Sequence, residues 1–275
     1  MTGLRAKILA LQVFVAVALV GFWHFGSTVP FSKLGFLPQS WFDEPLDKTF
    51  LLPKFFFSTP LDVFGRVVKL FATGSIWKHL WITLEETLLA FVIGSSLGVA
   101  IGFWFARRPL VAAVFDPYVK MANALPRVVL APIFMLWLGL GIWSKVALGV
   151  TLVFFIVFFN VYQGIKEVSP VVLANARMLG MNERQLLEHV YWPSALSWMF
   201  SSLHTSAGFA LVGAVVGEYL GAAAGLCYLI HEAEGVFDVT GVFAGMIVLA
   251  AFVLVLDGLV TLAENRLLAW KAGRG

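Results

Sequence analysis

Cysteine is almost missing from these 275 residues: Cys227 stands alone, so no internal disulfide framework can form within the chain. Its simplest use is as a small apolar residue. Charge is scarce too. Asp, Glu, Lys and Arg make up 13% of the chain, about half the quarter carried by a soluble domain, which excludes an ordinary globular protein in water. The net charge is +3, yet no basic stretch is interleaved with aromatics, so nucleic acid is excluded as a partner. No glycine loop runs into Lys-Ser or Lys-Thr, so the chain is expected to hold no ATP of its own. No HExxH motif is present, and no catalytic residue, metal ligand or cofactor site is assigned.

Apolar residues fill the space left by charge, at 60% of the chain. They come in runs of about twenty without alternation, the length of a helix that crosses a bilayer. Inside lipid every backbone group must be satisfied within the protein, and without alternation a barrel is ruled out. The expected fold is therefore all-α, a polytopic transmembrane helical bundle of about six spans in one domain over 1–275. The spans are placed at 8–26, 77–106, 114–138, 144–165, 196–220 and 237–262. Arg5 and Lys7 precede the first run, whose length and lack of a following Ala-x-Ala site point to an uncleaved span. Gly94, Gly98 and Gly102 form a small-residue ladder suited to close helix packing, expected within the chain. Residues 27 to 76 are mixed and contain Asp43, Glu44 and Asp47. There Thr59 caps and Pro60 starts a short helix with Leu61, Phe64, Val68 and Phe71 on one face. It is expected along the outer membrane interface or packed under the spans.

Charge bias orients the spans. The inner segments would hold Arg5, Lys7, Arg107, Arg108, Lys120, Lys166, Arg177, Arg184, Arg266, Lys271 and Arg274. The stretch 221–237 has no Lys or Arg, only Glu232 and Glu234 among strong acids before Asp238. Basic residues in short loops favour the inner side, so both termini are expected inside.

The most charged segment among the spans is the loop 166–195. Ser169 suits an N-cap and Pro170 the first helical position, and Gly180 stands where a left-handed residue would end that helix. Asn182 and Gln185 have capping-box spacing for a second helix. Leu186, Leu187 and Val190 share one side of it, with Glu183, Arg184 and Glu188 on others, and Pro193 together with its restriction on Trp192 is expected to stop it. Two short helices hinged at a glycine between apolar spans have the form of a docking element.

NARMLGMNERQLLEHVYWPSAL resembles the signature cytoplasmic loop of ABC-transporter importer permeases, with Ala176, Gly180 and Pro193 at matching positions. Ala174 occupies the place of the usual glutamate and Asn175 that of the first alanine. ALPRVVLAPIFMLWLGLGIWSK is similar to the corresponding segment of the nitrate/sulfonate/taurine branch, and GEYLGAAAGLCYLI to that family's outward turn. Glu86 and Ala90 stand where family members often carry an arginine and a glycine. The resemblance implies a type I importer in the bacterial inner membrane: a multi-pass permease with both termini cytoplasmic, and a second permease copy, expected to be identical. It implies two cytoplasmic ATPase subunits that bind the ATP, and an extracytoplasmic substrate-binding protein delivering a small anionic solute. It also implies ATPase coupling through Ala176, Gly180, Asn182, Glu183, Arg184, Leu186, Leu187 and Pro193.

A translocation path has fewer markers. Its candidates are Asn123, Arg127, Asn160, His204, Thr205, Ser206 and Glu218, with Gln163 beside them. Arg127 is the only basic residue placed within a span, and Glu218 and Asp257 are placed towards span ends, with access to water. His204-Thr205-Ser206 has no acid spaced to orient the histidine, so a polar packing patch or a wet pore wall is expected there rather than a nucleophile. Two rivals stay open on the residues alone: an ion-gradient-driven secondary transporter, and a membrane scaffold or enzyme.

Overall fold

A computed structural model describes residues 2–30 and 51–267. The expected acidic stretch at Asp43, Glu44 and Asp47 and the basic tail residues Lys271 and Arg274 lie outside the described residues. Among those described, the elements are helical: α1 (Thr2–Thr28), α2 (Lys54–Phe57), α3 (Pro60–Ala72), α4 (Ser75–Arg107), α5 (Pro109–Ala124), a 3₁₀ turn (Arg127–Leu130), α6 (Ala131–Leu138), α7 (Ile142–Lys166), α8 (Pro170–Met178), α9 (Glu183–Leu186), a π turn (Leu187–Tyr191), α10 (Trp192–Gly221), α11 (Leu226–Gly235) and α12 (Val239–Leu267). Among the described residues, five stretches are long and apolar enough to cross a membrane: Ala6–Thr28, Ser75–Arg107, Ile142–Lys166, Ser202–Gly235 and Val239–Glu264.

A sixth arises if Pro109–Ala124 and Arg127–Leu138 count as one, but that pair is bent by 89°. The stretch expected as a span over 114–138 is thus sharply bent, and the sequence explains how. Pro126 disfavours helical backbone at the residue before it, and Leu125 is extended at φ −64°, ψ 132°. Arg127 closes the break, its Nη1 donating to Asn123 O at 2.6 Å and its Nη2 to Asn123 Oδ1 at 2.7 Å.

The chain divides into two compact units, 1–77 with 229–249 and 78–228 with 250–275. In the first, Leu52 N–H donates to Gly26 O at 2.8 Å and Trp23 Nε1 to Phe57 O at 3.0 Å, tying α2 to the end of α1. Ser58 and Thr240 hydroxyls meet at 2.7 Å, and Arg66 pairs with Asp238 at 2.7 Å. α3 starts at the expected Thr59 cap, which accepts from Asp62 N–H at 3.2 Å. Its apolar side chains Leu61, Phe64, Val68 and Phe71 are all exposed, the pattern of a helix that rests on an apolar medium.

In the second unit α7 is the central element, burying Val153, Val157 and Val161. The glycine ladder of α4 packs on it: a Cβ at Gly98 would stand 2.8 Å from Val157 Cβ, and one at Gly102 2.8 Å from Phe158 O. The other face of α7 meets α10 at Gly149 and Gly213, where the two backbones leave no room for a side chain on Gly213. Between lipid tails and leucine there is little hydrophobic difference, so this backbone approach is what holds the three helices together.

Candidate functional site

The loop after α7 is built as its capping residues require. Gly180 adopts φ +79°. Its N–H donates to Arg177 O at 3.0 Å and that of Met181 to Ala176 O at 3.1 Å, the bond pair of a Schellman ending. Ala176 is buried in α8. Asn182 then caps α9 reciprocally: Gln185 N–H donates to Asn182 Oδ1, and Asn182 N–H to Gln185 Oε1, both at 2.9 Å. Ser169 holds the N-cap position of α8 but its hydroxyl makes no cap bond. Leu186 is buried, Leu187 half-buried, and Glu183, Arg184 and Glu188 point outward.

Glu183 fastens this loop to its surroundings, with Arg107 Nη2 at 3.1 Å from one carboxylate oxygen and Arg177 Nη2 at 3.6 Å from the other. Arg107 also lies over the Tyr191 ring at 5.4 Å. Phe103, Arg184, Leu187, Glu188 and Trp192 surround a hollow there.

Pro193 does not stop the second helix, contrary to the sequence expectation. Trp192 is helical at φ −64°, ψ −47°, and its N–H donates to Leu187 O, five residues back. In an α-helix the proline ring would strike the carbonyl four residues earlier. The π turn widens the coil just before it, so α9 runs on through Leu187–Tyr191 into α10 without a break. The hinge lies at Gly180 alone.

The second concentration of polar groups is buried. Glu86, Lys145 and Glu218 are each 1% exposed, and Thr83 is fully buried. Glu218 Oε1 accepts from the Thr83 hydroxyl at 2.5 Å and Oε2 from the Cys227 N–H at 2.8 Å. Thr83 Oγ1 accepts from Leu226 N–H at 3.0 Å, and the Gly225 N–H donates to His79 Nδ1 at 3.1 Å. The Glu86 carboxyl lies beside that of Glu218, with its Oε2 unpartnered, and the Lys145 ammonium acts on both. Lys145 Nζ donates to Leu140 O and, at 3.1 Å, to Gly141 O. Gly225 sits at φ +125°, and a Cβ on it would fall on the Glu218 carboxyl. Glu218, Thr83 and His79 thus hold the end of this turn by the backbone N–H groups of Cys227, Leu226 and Gly225 respectively.

Two expectations are corrected here. Glu218 has no access to water, because the turn folds back over it. Arg127 is not the only basic residue within a span, since Lys145 is the fourth residue of α7 and fully buried. Sequence reasoning passes over Glu86 and Lys145 as site residues, although ionisable residues inside apolar runs are themselves the signal.

The path candidates do not converge. Asn123 and Arg127 satisfy each other, and Arg127 stacks on Phe155 with 4.9 Å to the ring centroid. Asn160 donates to Ile156 O at 2.8 Å within its own helix, and Gln163 to Glu167 at 3.1 Å. Thr205 is exposed, while Ser206 is buried with its hydroxyl unpartnered. His204 does have acids to orient it, again contrary to expectation. Asp257 Oδ1 stands 3.0 Å from Nε2 and Glu264 Oε2 3.6 Å from Nδ1. Both come from α12, out of reach of any spacing read along α10. Gly94-Ser95-Ser96-Leu97-Gly98 has the literal form of a nucleophile elbow, but it lies inside α4 and not at a strand-to-helix turn. No group of three metal-ligating side chains suited to an ion occurs among the described residues.

Long apolar helices, interrupted by a charged two-helix loop that feeds straight into α10, have the make-up of a membrane-spanning protein with a docking loop. The chain belongs to the family described as binding-protein-dependent transport system inner membrane component, whose model matches residues 94–269; it is an ABC importer permease. It is 32% identical over 203 residues to the putative aliphatic sulfonates transport permease protein SsuC of Bacillus subtilis (strain 168), covering 74% of each chain. It is 34% identical over 195 residues to the formylaminopyrimidine transport permease protein ThiX of Halalkalibacterium halodurans, covering 68% of this chain and 77% of that one. Its fold is similar to a chain of the MetNI methionine ABC transporter solved in inward-facing conformations, with TM-score 0.54 at 17% identity over 70% of this chain and 93% of that one.

Proposed function

We propose that this chain is the permease of a type I importer that moves a small anionic solute of the nitrate, sulfonate or taurine kind. Two cytoplasmic ATPase subunits bind the ATP, an extracytoplasmic binding protein delivers the solute, and a second, identical permease completes the path. Both termini face the cytoplasm. The observation that carries the coupling assignment is the continuity of α9, the π turn and α10: a surface docked on Glu183–Leu187 is joined to a span with no flexible residue between. The solute class rests on the resemblance of the 124–145 segment to the sulfonate branch and on the similarity to SsuC. Family membership leaves the ion-gradient rival without support.

Coupling is tested by Gly180→Val and Leu187→Glu. Both are expected to abolish substrate-stimulated ATP hydrolysis and weaken ATPase co-purification while membrane insertion is kept; unchanged stimulated hydrolysis in both rejects the assignment. Orientation is tested by single cysteines in spheroplasts. Position 232 should label from outside and positions 107, 177 and 266 should not; labelling at 177 rejects the topology. Selectivity is assigned to the binding protein. The permease–ATPase complex alone should bind solute no tighter than the millimolar range, about −4 kcal/mol by titration calorimetry.

A further inference from the structure

Two of the most exposed apolar side chains among the described residues stand side by side at the Gly180 bend: Met178 is 85% exposed and Leu179 80%. They end a stripe. Val171, Ala174 and Met178 are spaced i, i+3 and i+7 along α8, so they share one helix face, and all three are exposed. Elsewhere on α8 Ala176 is buried and Leu173 half-buried. The second helix is arranged the other way. Its Leu186 is buried and Leu187 and Val190 half-buried, while Asn182, Glu183, Arg184, Gln185 and Glu188 are exposed. The apolar side of α9 is thus turned into the chain, and the apolar surface that the loop offers outward lies on α8. Lys166, Glu167, Arg177, Glu183, Arg184 and Glu188 are spread along the same loop, and so many charges keep it out of hydrocarbon. An apolar patch rimmed by polar residues in water marks a contact with another macromolecule.

We infer that the ridge of Val171, Ala174, Met178 and Leu179 is the apolar anchor by which this loop docks on the ATPase subunit, which receives it in an uncharged, apolar groove. The inference rests on the importer reading and deepens it. The ridge is continuous with the Glu183–Leu187 surface across Gly180, so it supplies the desolvated centre of that contact and the exposed groups of α9 its polar rim. Gly180 and its Schellman bonds fix the angle between the two. Ala174 decides the chemistry of the groove. It stands in the place of the family's usual glutamate, and it leaves the ridge without a charge between Val171 and Met178.

The test measures binding of the purified ATPase subunit to the full-length permease in nanodiscs by biolayer interferometry. Met178→Gln with Leu179→Gln should weaken binding about tenfold or more. Ala174→Glu should do the same, because a carboxylate would lose its water in an apolar groove. Met178→Leu, which keeps the apolar volume, should bind like the parent. The altered side chains are exposed, so each variant should melt with the parent. A second measurement uses Cys227→Ala with Met178→Cys and a water-soluble maleimide. The introduced thiol should react freely in the permease alone, and bound ATPase should slow that reaction about tenfold or more. Parent-like affinity of the double glutamine variant, no protection by the ATPase, or a thiol already shielded by lipid overturns the inference. Tighter binding of Ala174→Glu also overturns it, since that would reveal a cationic groove. If Gly180→Val and Leu187→Glu weaken binding while the ridge variants do not, the ridge alone falls. A parent chain that binds no ATPase overturns the importer reading together with the ridge.

Discussion

The two-helix loop and the junction around Glu218 each gather charged side chains, but they arrange them in opposite ways. In the loop Glu183, Arg184 and Glu188 point outward, and every capping bond joins residues within five positions of each other. At the junction Glu86, Lys145 and Glu218 are closed off, and the bonds of Glu218 reach back to Thr83 in another helix. A solvated, locally bonded element tolerates change piece by piece, because each ion pair is screened and each cap acts alone. A buried polar network does not, because removing one member strands the others in a low dielectric. The loop is therefore the part that can move and exchange partners, and the junction the part that must stay assembled.

The sharpest way to break this contrast is Glu218→Leu. It would leave Lys145 less compensated and the Cys227 N–H unpaired, at a cost of about 3–5 kcal/mol. Thermal unfolding in detergent should show a large fall in Tm, and a Tm close to that of the parent would show the junction to be dispensable. Gly98→Leu should come next. It forces α4 off α7 at a contact where a Cβ alone would stand 2.8 Å from Val157 Cβ, costing about 1–3 kcal/mol or more. Gly180→Val forces a β-branched residue into the left-handed region, at about 1–3 kcal/mol, with loss of coupled hydrolysis far greater than loss of Tm. Glu183→Gln is the mildest. Its two ion pairs are exposed, so the stability change should stay below about 1 kcal/mol, and a large drop in Tm would erase the distinction between the two regions.

What can be read from the residues follows the same division. Gly180, Asn182 and Gln185 announce their roles because caps are decided within one turn of backbone, and the Gly94–Gly98–Gly102 ladder because small residues at four-residue spacing make a flat helix face. Pro193 misleads because a proline signals only where an α-helix cannot continue, not that a π turn can carry the chain past it. His204, Glu218 and Lys145 are opaque for a different reason. Their partners lie on other helices, brought together by the approach of α4, α7, α10 and α12, and no periodicity within one span encodes that meeting.

The π turn at Leu187–Tyr191 has a rotational consequence. Each residue of an α-helix turns the chain by about 100°, and the wider turn lets one more residue fit before the coil resumes. It therefore sets the angular phase between the Glu183–Leu187 surface and everything borne by α10. Deleting a single residue between Leu187 and Tyr191 would leave both ends helical and equally apolar, yet would swing His204 and Glu218 by about 100° relative to the surface below them. The width of this one turn thus decides which way the span faces.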